Sequence, residues 1–112
     1  MAAIANLSID QGATFSSDVT VKDSNANPLN LTGYTGQAKM AKGYASTKTR
    51  TTITLTFAEP RSSGVVTMSL TANQTAALDA ERYVYDMEIV SATGVVTRVI
   101  EGIITVRPEV ST

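Results

Sequence analysis

Cysteine, histidine and tryptophan are absent from the 112 residues. Without cysteine no disulfide can staple the fold, and no thiolate is available as nucleophile or metal ligand. Without histidine the usual base for a serine nucleophile is gone, and so is the commonest nitrogen ligand for metals. Aromatic residues make up only 5% of the chain, leaving little material for a sugar-binding face of stacked rings. Neither sign of charge dominates: nine Lys and Arg stand against ten Asp and Glu, for a formal net charge of -1. A dedicated nucleic-acid binder needs an excess of phosphate-neutralising cations, so nucleic acid is not an expected partner. No apolar run approaches the roughly 18 residues of a spanning helix, so no membrane partner is expected either. The first residues, MAAIANLS, lack a basic n-region and a long apolar stretch, and no signal peptide is expected there.

What the chain does have is 43% hydrophobic and 17% charged residues, a composition that disfavours disorder. Its length suits one domain, residues 1–112, with 108–112 as a loose tail. Thr, Val and Ile dominate, and apolar residues recur with period two. A short run covers residues 4–9. In residues 13–22, Ala13, Phe15, Val19 and Val21 share one face, while Thr14, Ser16, Asp18, Thr20 and Lys22 share the other. Turn formers follow at 23–28, and Leu29 and Leu31 are expected to plug the core. Residues 34–44 put Ala38, Met40 and Tyr44 opposite Gln37 and Lys39, before a hairpin tip at 45–50. Ile53, Leu55 and Phe57 alternate with threonines; Val66, Met68 and Leu70 alternate after the turn at 59–64. Residues 71–78 lose this period and read as a helical turn capped by Thr71 or Asn73. Residues 82–90 and 95–107 return to strand around a turn at 92–94, with Gly102 as a candidate bulge.

About seven strands with frequent turns predict an all-β, immunoglobulin-like antiparallel β-sandwich with one short helical turn. In such folds a tyrosine near the start of the strand after the E–F crossing ties down the corner through its hydroxyl. Tyr83 and Tyr85 are both candidates. Equally, both tyrosines can simply pack and leave their hydroxyls exposed. The expected core is Phe15, Val19, Val21, Ile53, Leu55, Phe57, Val66, Met68, Leu70 and one of these two tyrosines.

No constellation supports catalysis. Asp23, Asn25 and Asn27 imitate the opening of a calcium loop, but Pro28 stands where glycine is needed and Tyr34 where the bidentate Glu belongs. A turn is the expectation. Asp86 and Glu88 share a strand face, but acid–base work needs a cleft and a solvated face does not. Gly33 and Gly36 lie too close together for a phosphate cradle. The expectation is no enzyme, no metal and no cofactor. Lys39, Lys42, Lys48 and Arg50 make one hairpin basic, while Asp79, Glu81, Asp86 and Glu88 make another stretch acidic. Such a dipolar surface suits docking onto a charged neighbour.

Four segments carry a family resemblance: LNLTGYTGQAKM (29–40), SLTANQTAAL (69–78), RYVYD (82–86) and VIEGIITVRPEV (99–110). They resemble small β-sandwich structural proteins of tailed-bacteriophage virions. They are similar to the N-terminal immunoglobulin-like domain of baseplate upper proteins and to cyanophage structural proteins. The resemblance spans about residues 18–110 and carries no catalytic residues. It implies a virion location and a non-enzymatic role. Because baseplate proteins of this kind continue into long C-terminal regions, the first expectation is a capsid decoration or cement protein on the assembled head. The alternatives are a tail, neck or baseplate accessory protein, or a host-surface or carbohydrate-binding module. Implied partners are other virion proteins, the major capsid protein or tail and baseplate proteins, with a homo-oligomer as a further option. The expected contacts are the basic hairpin (Lys39, Lys42, Lys48, Arg50) and backbone pairing by the N-terminal run, including Ile4 and Leu7.

Overall fold

A computed structural model describes residues 3–43 and 50–108. Its strands are β1 (Ala3–Ile4), β2 (Leu7–Asp10), β3 (Phe15–Thr20), β4 (Thr35–Ala41), β5 (Thr51–Phe57), β6 (Val65–Leu70), β7 (Arg82–Val90) and β8 (Val96–Arg107). A 3-10 turn at Arg61–Ser63 and a one-turn helix α1 (Ala72–Ala76) complete the elements. The protein is an all-β, immunoglobulin-like sandwich. One layer contains β1 and β2 beside β8, then β7 and β4; the other contains β3 and β6. β5 belongs to both. Thr51–Ile53 pair with β4, whereas Thr54–Phe57 pair with β6. The two layers are therefore one continuous sheet, folded over at β5.

The period-two pattern forms these strands because alternate side chains enter the space between layers. Val21, Ile53, Val66, Met68 and Leu70 are buried there, as is Leu31. Phe15, Val19, Leu55 and Phe57 are only half-buried and pack on the rim of this core. Both candidate tyrosines are buried, and neither hydroxyl is exposed without a partner. The Asp79 N–H donates to the Tyr83 hydroxyl (2.9 Å), which is the expected corner tie. The Tyr85 hydroxyl donates to the Ala5 carbonyl (2.7 Å). Thr71 caps α1, accepting from Gln74 N while the Gln74 side chain accepts from Thr71 N.

Two local expectations change. The N-terminal run is two strands, and both pair parallel to β8 rather than antiparallel. The bulge lies at Val99, not Gly102: Met87 faces Ile100 and Glu88 faces Arg98, leaving Val99 as the extra residue. Gly102 serves the other purpose of a strand glycine, close backbone approach. A Cβ there would lie 2.1 Å from the Ala5 carbonyl oxygen, where the chain kinks between β1 and β2.

Candidate functional site

The expected basic hairpin is divided by the fold. Lys39 is exposed on the outer face of β4, in register with Asp86 of β7. Lys42, just past β4, turns instead to the α1–β7 connection. There it forms a short hydrogen-bonded ion pair with Asp79 and a second pair with Glu81 at 3.2 Å. These hydrogen bonds, Asp79 first, raise the Lys42 ammonium above its usual pKa. Arg50 precedes β5 and its guanidinium donates to the Gly43 carbonyl (3.3 Å). Lys48 and Tyr44 lie outside the described residues. The basic and acidic stretches thus meet within one molecule, and Lys42 is engaged before any partner arrives.

Asp86 and Glu88 share the outer face of β7, as their spacing requires. Arg98 Nε stands 3.4 Å from Asp86, and another Arg98 nitrogen 3.5 Å from Glu101. Gln37 Nε2 donates to Glu88 at 3.1 Å. Gln37, Lys39, Arg50, Asp86, Glu88 and Arg98 line a shallow concavity of about 290 Å³. Its cations and carboxylates are interleaved, which suits polar contact with another surface. Among the described residues no group of three acidic, Cys or His side chains could hold a metal ion. The calcium-like segment is the expected turn: Asp23 Oδ1 accepts from the amides of Asn25 (2.9 Å) and Asn27 (3.1 Å).

The N-terminal candidates are split by burial. Ile4 is 77% exposed, Leu7 is half-buried, and Ile9 belongs to the core. One edge of this run is already used by β8, and the Ile103 N–H donates to the Asn6 side chain (3.1 Å). Removing the run would therefore remove core as well as edge.

Sequence reasoning missed the opposite end of the sheet. Among the described residues β3 pairs only with β6, and its other edge borders a groove of about 340 Å³ whose apolar lining is Ala3, Val19, Val21, Val99 and Ile100, with Thr20, Thr97 and the cations Lys22 and Arg98 completing its wall. The alternation at residues 13–22 marks a strand but carries no signal of which neighbours it has.

No family model matches this chain. No curated protein matches it either. Among solved structures it is similar to an internalin-like protein of Listeria monocytogenes, with 15% identity and a TM-score of 0.46. That match covers 95% of this chain and 28% of the other, so the chain spans about a quarter of that protein's length.

Proposed function

We propose that this chain is a non-enzymatic structural module of a bacteriophage virion, attached to the particle by surface contacts, with the capsid exterior as its place. The observation that carries this reading is where the resembling segments fall. Segments 29–40, 69–78, 82–86 and 99–110 supply Leu31, Met40, Leu70, Leu78, Tyr83, Tyr85, Ile104 and Val106, all buried. The phage-like motifs are thus the scaffold of the sandwich itself. They include the capping box of α1 and the tyrosine corner.

The carbohydrate-binding alternative has less support. The described aromatics Phe15, Tyr34, Phe57, Tyr83 and Tyr85 are all half-buried or buried, so none presents a fully exposed ring for stacking. A tail, neck or baseplate position remains the competing location within the same class.

Co-sedimentation tests the proposal. Labelled protein mixed with purified virions should travel with intact particles, and with heads after heads and tails are separated. Movement with tails alone would replace the capsid location. Protein that stays at the top of the gradient in every case would refute the proposal.

A further inference from the structure

The folded sheet ends at two edges, β3 and the β1–β2 run, and Ala3 of β1 faces Val19 and Val21 across the groove between them. The backbone of β3 defines what is missing there. Val21 N donates to the Gly64 carbonyl at 2.7 Å, on the β6 side. In an antiparallel ladder alternate residues direct their backbone groups to the same neighbour. Phe15, Ser17 and Val19 therefore face β6, and Ser16, Asp18 and Thr20 turn both N–H and C=O to the open edge. Natural edges are blunted by charged side chains, especially Lys, by Pro, by a bulge or by a covering segment. β3 contains no Lys or Pro, and its register with β6 is unbroken. Its one charge is Asp18, on the outer face, where the carboxylate accepts from Thr67 Oγ1 at 2.7 Å.

We propose that this edge receives an extended segment of a partner protein, which adds as a strand beside β3 and fills the gap toward β1. The site states the chemistry of the occupant. Its backbone pairs with Ser16, Asp18 and Thr20. Every second side chain is apolar and enters the groove over Val19, Val21, Val99 and Ile100. The alternate face carries a Lys or Arg beside Asp18, the one charge of β3. Backbone pairing supplies affinity, and the apolar pockets with the cation supply selectivity. This deepens the reading of the chain as an attached structural module and rests on it.

The test uses the full chain and a short synthetic peptide alternating valine and threonine, with one lysine on the threonine face. Amide exchange at Ser16, Asp18 and Thr20 should slow on peptide addition, while Ser17 and Val19, already paired, should change little. Thr20→Pro removes an N–H that has no partner among the described residues, so it should stay folded. It should weaken the peptide by about tenfold, the loss of one or two backbone hydrogen bonds. Asp18→Lys should reverse the preference, from the lysine peptide to a glutamate counterpart. Absence of binding, binding that leaves the three amides unchanged, or undiminished affinity in Thr20→Pro would overturn the inference. So would slowing of these amides with protein concentration alone, which would mean that a second copy occupies the edge. If Thr20→Pro does not fold, exchange on the unaltered chain still decides. Retention of Thr20→Pro on virions would remove this edge and leave the structural role standing. Peptide binding at β3 by a protein that never sediments with particles would do the reverse.

Discussion

Thr75 is a fully buried polar side chain, and it holds together two parts distant in sequence. Its hydroxyl donates to the Ala13 carbonyl (2.8 Å) and accepts from the Gly12 amide (3.0 Å). α1 thereby fixes the crossing from β2 to β3. Thr75→Val keeps the shape but leaves an amide and a carbonyl without this partner. Urea unfolding should show a loss of about 1–3 kcal/mol, with the slope unchanged. Tyr85 provides a second residue-scale prediction. Burial raises its phenol pKa, and the pairs with Asp79 and Glu81 raise the Lys42 ammonium. For both groups the folded value lies above the unfolded one. Their stabilisation is complete below the ordinary values of 10.0 and 10.5 and is lost as pH rises through the folded values. The urea midpoint should fall at alkaline pH, and Tyr85→Phe should remove part of that fall. These roles were only partly legible. Tyr83 and Tyr85 were legible as alternative candidates for the corner tyrosine because they follow a helical turn, but which of them makes the tie was not. Thr75 was not, because its partners lie more than sixty residues away. Arg61, 4.4 Å over the Phe57 ring and donating to the Leu31 and Tyr34 carbonyls, was hidden for the same reason.

At the scale of elements, strands with strong alternation were readable almost to the residue. β7 falls on the expected residues 82–90, and β6 on 65–70. What the pattern did not contain was pairing. The parallel docking of β1 and β2 on β8 depends on Gly102, whose lack of a side chain lets the Ala5 carbonyl approach. A lone glycine in a strand is consistent with either a bulge or close approach, and only the partner strand decides. The bulge itself falls at Val99, a residue with no turn character. Gly102→Ala should push the N-terminal run off β8. Amide exchange should then accelerate at Ile103, which donates to Asn6, and at Ala5, which donates to the Glu101 carbonyl (3.0 Å). Exchange within the β3–β6 pair should change far less. Equal acceleration throughout the sheet would show that the N-terminal strands are not a separable unit.

At the scale of the whole molecule, stability rests on one apolar core and the backbone ladder. Neither cysteine nor histidine is present. The melting temperature should therefore be the same with and without chelator or reductant; a drop of several degrees with chelator would contradict this account. The fold class was legible because each strand declares its buried face. The continuity of the two layers through β5 was not, since nothing in TTITLTF marks where its partner changes from β4 to β6. The candidate surface was legible as charge but not as geometry: the fold pairs Lys42 with Asp79 and Glu81, and among the described strands β3 pairs with β6 alone. We propose the sandwich as a fixed part of a phage particle, a role that rests on the resemblance of its scaffold segments. Immunogold electron microscopy, on virions produced from the genome that encodes this chain, tests it most directly. Gold on the heads of intact particles is the predicted result; particles free of label, with the protein confined to the soluble lysate, would contradict it.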